Sequence, residues 1–196
     1  EKSRKTLVKN RILELEKFVL WYGLEVPQLT KILEVILSGK LDDGDTRKLV
    51  KLLIPRTKVP NMLIMKIFGS LGNKNTKLKI QALLLRWVIL IYNVLEDHSE
   101  LYQLYGVLFH YLDYDTLRPM LCHLLWLMTQ REHVKSFRIR KMMELQTRVG
   151  SESHIQGLLS LYKDFSPTLV TVHHISTKNA VFKCPDVEWL HMLNEV

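Results

Sequence analysis

Apolar residues recur at intervals of three or four positions through most of the chain, and this spacing is typical of amphipathic α-helices. Leu29, Ile32, Leu33 and Ile36 form one such stripe. Glycine and proline, which disfavour helix interiors, stand between the periodic stretches rather than within them. The pattern predicts nine helices, over about residues 4–22, 27–38, 43–54, 60–71, 77–95, 99–112, 115–129, 133–149 and 151–162.

The residues at the predicted helix ends agree with this division. Pro27 suits a first helical turn, where its missing N–H would have no partner. Gly39 is placed to end the second helix in the left-handed conformation, and Asp43 or Asp45 is available to cap the third. In the first helix, the pattern predicts a single apolar face formed by Leu7, Leu15, Phe18, Val19 and Tyr22.

The predicted helices repeat in pairs. The odd-numbered ones begin near residues 4, 43, 76, 115 and 152, and two helices per 33–47 residues is the signature of an α-solenoid. The fifth is apolar nearly all round, so we expect it to be central and buried. The sequence predicts an all-α, HEAT-like α-solenoid of about nine to ten helices in antiparallel pairs; the alternative is an unrelated helical bundle.

The last thirty residues differ in composition. Residues 168–182 are rich in β-branched side chains and predict a short extended segment. A short helix over 187–193 follows the Pro185-Asp186 pair. The predicted organisation is a HEAT-like helical repeat domain over residues 1–166, with the extended segment and short helix of residues 167–196 packed on it.

Composition excludes several classes of protein. With 47% hydrophobic and 24% charged residues, the chain has ordinary globular usage rather than that of a disordered protein. Its most apolar stretch, residues 82–92, is interrupted by Arg86 and is too short to span a bilayer, so no membrane contact is expected. Two cysteines cannot form a disulfide framework, which favours a reducing intracellular compartment.

The sequence contains no convincing catalytic or ligand-binding motif. Residues 69–76 resemble a phosphate loop but have the wrong spacing, and residues 42–45 lack the alternating ligands of a calcium loop. Cys122 and His123 are adjacent on a predicted helix, so their side chains point about 100° apart. We therefore expect no enzyme activity, catalytic residue, metal, cofactor or small-molecule substrate.

Basic residues are the more informative feature, because the formal net charge is +8 and favours a polyanionic or acidic partner. Arg140, Lys141 and Arg148 lie on one side of the eighth predicted helix. They form either a basic strip that contacts phosphates or an acidic partner helix, or an ordinary solvated face. Lys74, Lys77 and Lys79 form a second candidate group at a helix N-terminus, where the helix dipole favours anions.

Two further arginines are candidates for structural, buried charges. Arg138 falls within the apolar arc of its helix, where its guanidinium could bind helix-end carbonyls or a carboxylate such as Glu132 or Asp115. Arg86 lies within the helix that we expect to be buried, so a paired interior role is favoured.

An ordered combination of short motifs carries a resemblance to a known family. The motifs stand along the chain in the same order as in that family. They are Leu37-Ser38-Gly39-Lys40, Arg86-Trp87, Leu104-Tyr105-Gly106, Pro119-x-x-Cys122-His123-Leu124-Leu125, Val134-Lys135-x-Phe137-Arg138-x-Arg140-Lys141 and Leu158-Leu159-Ser160-Leu161-Tyr162-Lys163-x-Phe165-x-Pro167. Over nearly its whole length the chain closely resembles the N-terminal part of the centromere protein I family. It departs most after Lys40 and after Val172.

The resemblance implies a non-enzymatic scaffold of the inner kinetochore, in the constitutive centromere-associated network, located at the chromosome centromere in the nucleus. It also implies that the helical repeats hold the centromere protein H and centromere protein K pair. A region absent here would engage centromere protein M. Direct contact of a basic helical face with centromeric DNA is the alternative function. No family motif assigns particular residues to these partners.

Overall fold

A computed structural model of the chain describes residues 2–170 and 182–195, with side chains from residue 5 onward. All of the regular structure in this part is helical, so the all-α prediction is confirmed, and the predicted extended segment over 168–182 lies mostly outside the described residues. The α-helices are α1 (Lys2–Tyr22), α2 (Val26–Leu37), α3 (Asp43–Lys51), α4 (Asn61–Gly69), α5 (Leu78–Leu90), α6 (Ser99–Gln103), α7 (Tyr105–His110), α8 (Arg118–Met128), α9 (Ser136–Val149), α10 (Ser153–Phe165) and α11 (Val187–Asn194).

The helices fall into two compact units. The first comprises α1 to α5 and α11, within residues 1–98 and 184–196; the second comprises α6 to α10, within residues 99–183. Short 3₁₀ turns at Tyr92–Val94, Tyr111–Asp113 and Arg131–His133 interrupt the α-helices. No described helix is long and apolar enough to cross a membrane. The division into residues 1–166 and 167–196 stays a prediction.

In α1, the buried stripe is not the one predicted from the sequence. Ile12 and Val19 are buried and Val8 and Leu15 are half-buried, an arrangement with alternating four- and three-residue spacing. Three residues of the predicted face, by contrast, are exposed: Leu7 at 60%, Phe18 at 43% and Tyr22 at 60%. The prediction was wrong because α1 carries more apolar residues than its contact with α3 can cover, and periodicity alone does not say which remain outside.

The core of the first unit is built around α5, as its apolar composition predicted. Leu84, Leu85, Trp87 and Val88 are all buried there. The Trp87 indole Nε1 donates a 2.6 Å hydrogen bond to the Leu53 carbonyl at the end of α3, so the largest side chain of the helix also has its polar atom paired.

Loops at the helix ends of this unit pair with one another through their backbones. Leu24 N donates to Ile54 O at 2.8 Å, and Arg56 N donates back to Leu24 O at 3.0 Å. The same arrangement recurs where Val59 N donates to Val94 O and Glu96 N donates to Val59 O. Because buried N–H and C=O groups need partners, these pairings allow loops to pass through the apolar interior.

The turn between α2 and α3 also packs closely against the loop before α5. Gly39 has φ +65°, the left-handed conformation predicted for it, and a Cβ built there would lie 2.2 Å from the Asn75 carbonyl oxygen. The predicted cap of α3 was wrong by one to three positions: Asp42 is the N-cap, and its carboxylate accepts from Asp45 N at 2.8 Å. Asp43 and Asp45 instead lie in the first turn of α3, where their negative charges interact favourably with the positive end of the helix dipole.

The second unit has α8 and α10 packed together at its centre. The predicted helix over 99–112 is divided into α6, α7 and a 3₁₀ turn, because Leu104 N bonds to Leu101 O, three rather than four residues back. The helix predicted from Asp115 or Thr116 begins at Arg118, with Pro119 in its first turn. The short helix predicted over 187–193 is confirmed as α11 of the first unit, capped by Asp186.

We expect Gly39→Ala to destabilise the chain by about 2 kcal/mol or more, because the new methyl group collides with a backbone carbonyl and the left-handed conformation disfavours alanine. Gly69→Ala is the matched control: that glycine is helical and has open space around its Cβ position, so stability should stay equal or rise slightly. Urea denaturation followed by circular dichroism measures both, and equal midpoints would contradict the close approach.

Candidate functional site

Arg138 of α9 lies among three aromatic rings. Its guanidinium carbon is 4.9 Å from the centre of the Tyr105 ring, 5.3 Å from Phe137 and 5.9 Å from Phe109, and Nη1 donates to the His133 carbonyl at 2.8 Å. Cation–π attraction and a charged hydrogen bond to a helix-end carbonyl therefore hold a half-buried charge. In this geometry the guanidinium binds the His133 carbonyl rather than Glu132 or Asp115. The structural role of Arg138 stays a prediction.

Beneath Arg138 lies a buried hydroxyl cluster. The Tyr105 hydroxyl is 2.5 Å from that of Tyr162 and 2.9 Å from Thr129 Oγ1. The His133 ring stacks on the Tyr105 ring, with 4.3 Å between the ring centres. Burial raises the pKa of both tyrosines, so they remain neutral hydrogen-bonding groups. The cluster joins α7, α10 and the end of α8.

The proposed basic strip on α9 is partly neutralised within the molecule. The Asp113 carboxylate pairs with Arg148 and lies 3.6 Å from Lys141 Nζ. The hydrogen bond from Arg148, with the charge of Lys141 nearby, lowers the pKa of Asp113. Arg140 is exposed and forms no ion pair with any residue in the described part of the chain. The structure thus brings Lys141 and Arg148 together on a shared carboxylate and leaves Arg140 apart.

Lys74, Lys77 and Lys79 do not converge on one point. Lys77 Nζ pairs with Asp43 Oδ2 at 2.9 Å, and Lys74 and Lys79 are exposed. The loop before α5 is closed by Gln81, whose side chain accepts from Gly72 N and donates to the carbonyls of Asn73 and Thr76. The function of these lysines stays a prediction.

Sequence reasoning missed Arg118, which is buried in the described part of the chain. Arg86 is half-buried, with 37% of its side chain exposed and Asp186 at 4.0 Å. Arg118 has only 4% of its side chain exposed; its Nε donates to Leu112 O at 2.8 Å, and its guanidinium pairs with Asp115 and Glu152. Asp115, three residues before Arg118 in the turn that precedes α8, was the local signal that could have indicated it.

Sequence reasoning also missed an apolar groove between α1 and α2. It has a volume of about 390 Å³ and is open to solvent. Its lining combines apolar side chains with two cationic ones: Leu7, Val8, Arg11, Ile12, Leu15, Lys31, Ile32, Val35, Leu41 and Leu49. A second groove of about 460 Å³ lies along α9, lined by Arg140 with Met143, Glu144 and Leu169 among others.

Two potentially reactive side chains, Cys122 and His123, are both buried in α8. Burial raises the pKa of the Cys122 thiol far above neutrality, which makes the thiolate inaccessible, and lowers the pKa of His123 to about 4. No group of three His, Cys, Asp or Glu side chains in the described residues could hold a metal ion. The arrangement is suited to binding other macromolecules through grooves and charged faces.

Comparison with known proteins yields a consistent set of relatives. The family model described as CENP-I: Mis6 matches residues 1–196. The chain is 35% identical to centromere protein I of Gallus gallus over 99% of its length, and 33% identical to inner kinetochore subunit mis6 of Schizosaccharomyces pombe over 96%. It spans 26% of the first relative and 29% of the second, so it corresponds to about a quarter of each.

Two crystal structures are similar in both fold and sequence. The chain is 33% identical, with a TM-score of 0.86, to a chain in the crystal structure of the kinetochore subunits Cenp-H/I/K triple complex, covering 96% of this chain and 86% of that one. A crystal structure of centromere protein Cenp-I matches with the same identity and TM-score over 95% of this chain and 86% of that one. These matches confirm the helical-repeat fold class and the family resemblance found in the sequence.

We expect Arg138→Ala to destabilise the chain by about 2 kcal/mol, because it removes the contacts with three rings and leaves the His133 carbonyl without its donor. Arg140→Ala, on the same helix but exposed, should change stability by less than about 0.5 kcal/mol. Chemical denaturation compares the two variants, and equal effects would contradict the structural role.

Proposed function

Because the chain belongs to the CENP-I/Mis6 family, we propose that it is a non-catalytic scaffold of the inner kinetochore whose helical repeats bind the centromere protein H and centromere protein K pair. Membership of the family confirms the assignment to the centromere and kinetochore of the nucleus made from the sequence. Contact with centromere protein M stays a prediction.

One observation carries this proposal. A solved chain that shares this fold at a TM-score of 0.86 is in the crystal structure of a Cenp-H/I/K triple complex, and 96% of the present chain is covered by that match. At 33% identity the two chains share sequence as well as fold, so a shared partner is a reasonable inference.

The physical character of the surface supports the same role. Helical repeats contact mainly their neighbours and leave grooves and ridges between helices, which are suited to partner helices. In the described part of this chain an open apolar groove lies between α1 and α2, and several large apolar side chains of α1 are exposed.

We expect this chain to capture the purified H/K pair at micromolar concentration and to co-elute with it as one complex in size-exclusion chromatography. A coiled-coil pair of similar length and net charge serves as the control for non-specific electrostatic capture. Absence of co-elution with H/K would contradict the proposal.

A second candidate function is direct contact with centromeric DNA through α9. The exposure of Arg140 and the net charge of +8 favour it, whereas the Asp113 carboxylate between Lys141 and Arg148 opposes it. The negative charge of Asp113 repels phosphates, so its removal should favour DNA binding by α9.

If DNA binding is correct, Asp113→Asn should strengthen binding several-fold, because it frees two cations for phosphates. Arg140→Glu should weaken it and reduce the salt dependence by about one phosphate contact. Lys17→Glu, an equal charge reversal on α1, is the control. Fluorescence anisotropy with a centromeric duplex at several salt concentrations measures all three. No effect of Asp113→Asn and Arg140→Glu beyond that of Lys17→Glu would exclude α9 as the DNA site.

A further inference from the structure

An exposed apolar edge of α1 continues the groove between α1 and α2. Placed at 100° per residue, Leu7, Arg11, Leu15, Phe18 and Tyr22 fall within an arc of about 80°, directly beside the buried arc that contains Ile12 and Val19. The first three of these line the groove, and Phe18 and Tyr22 lie one and two turns beyond it, with their rings 5.2 Å apart. Together they form one strip along the helix.

The strip is apolar, open and long enough to accept a helix. From Leu7 to Tyr22 it extends about 22 Å at 1.5 Å per residue, or roughly four helical turns. On the opposite wall, α2 contributes Ile32, which is half-buried, and Val35, which is 45% exposed. Contiguous apolar surface of this kind between two helices marks an interaction site rather than ordinary solvent-facing surface.

The charge of the groove indicates what kind of helix would fit. Of its ten lining residues in the described part of the chain, two, Arg11 on α1 and Lys31 on α2, are cationic and none is acidic. Arg11 Nη1 also pairs at 3.0 Å with Glu14 Oε2, an exposed ion pair within α1 that a partner carboxylate would have to exchange with. The two cations stand on opposite walls, so a helix lying between them would have one on each flank. Acidic side chains beside the apolar face of that helix would complement both cations.

We propose that this α1–α2 groove, with its extension over Phe18 and Tyr22, binds an amphipathic helix of about four turns, apolar at i, i+3, i+4 and i+7 and acidic on its flanks, supplied by the partner pair. This inference rests on the proposed function: it names the surface of the chain and the chemistry of the partner segment. The docking follows the helix-in-groove mode, in which apolar anchors provide affinity and flanking charges provide orientation.

The structure provides a matched control on the same helix. Leu13 is 50% exposed, comparable to the 60% of Leu7, but lies about 120° around α1 from it and away from the groove. Replacing either leucine with aspartate changes an exposed helical position in the same way. Only Leu7→Asp places a carboxylate in the groove.

The test titrates the purified H/K pair into the unchanged chain, Leu7→Asp, Val35→Asp and Leu13→Asp. We expect at least a tenfold loss of affinity for the two groove variants and a change within twofold for Leu13→Asp, with unaltered circular dichroism spectra. Arg11→Glu combined with Lys31→Glu should weaken binding several-fold at low salt and much less at high salt, because the flanking charges are solvent-exposed.

Three outcomes would overturn the inference. If the unchanged chain binds H/K and both groove variants bind equally well, the proposed function stands and the groove is the wrong surface. If the unchanged chain does not bind H/K, both proposals fail. If sedimentation shows that the groove variants abolish self-association while H/K binding persists, the groove holds a second copy of this chain.

A photo-crosslinking residue at Val35 provides a readout that does not depend on affinity. It should form a crosslink to an acidic, amphipathic helical segment of the H/K pair, and the same residue at Leu13 should not. Crosslinking from Leu13 but not Val35 would likewise overturn the inference.

Discussion

The backbone of the loops between helices imposes the central constraint on the first unit. Leu24, Ile54, Val59 and Leu95 are buried loop residues, and their peptide groups need hydrogen bonds that no helix supplies. The loop following one helix provides them to the loop following another, and the Trp87 indole serves the Leu53 carbonyl in the same way. The loop between α1 and α2 is therefore fixed to the loop after α3, and the residues before α4 are fixed to those after α5.

In the second unit, arginine guanidinium groups supply hydrogen bonds to backbone carbonyls outside the α-helices. Arg118 donates to the Leu112 carbonyl in a 3₁₀ turn and pairs with carboxylates from the turn before α8 and from the residue before α10. Arg138 donates to the carbonyl at the end of another 3₁₀ turn. Five fixed donors and a flat, polarisable face allow one arginine to bind carbonyls and stack on rings at once. Several irregular turns are thereby held in place, and short helices such as α6 and α7 are kept in a defined arrangement without long hydrogen-bond ladders of their own.

The internal ion pairs also distinguish surface residues that already have partners within the chain from surface residues that do not. Three basic side chains, Lys77, Lys141 and Arg148, form ion pairs with carboxylates of the chain itself. Their positive charges are therefore partly neutralised within the fold. The strip over Leu7, Phe18 and Tyr22 has no such internal use, although exposing it costs free energy in water. A partner that covers this apolar strip removes it from water, and this burial contributes favourably to the binding free energy.

The sequence by itself determined the helical character of the chain, the left-handed turn at Gly39, the buried position of α5 and the family, because periodicity, glycine conformation and ordered motifs are local properties. Only the tertiary structure decided that Arg118 rather than Arg86 is a deeply buried charge, that Asp113 neutralises part of the basic strip, and that several apolar side chains of α1, among them Leu7, Phe18 and Tyr22, remain exposed. Each of these depends on a neighbour contributed by another part of the chain: Arg118 meets Glu152 and Asp113 meets Arg148, about 35 residues apart, and α1 meets α3. A helical period shows which residues share a face, but the size and charge of the surface that covers the face belong to the fold.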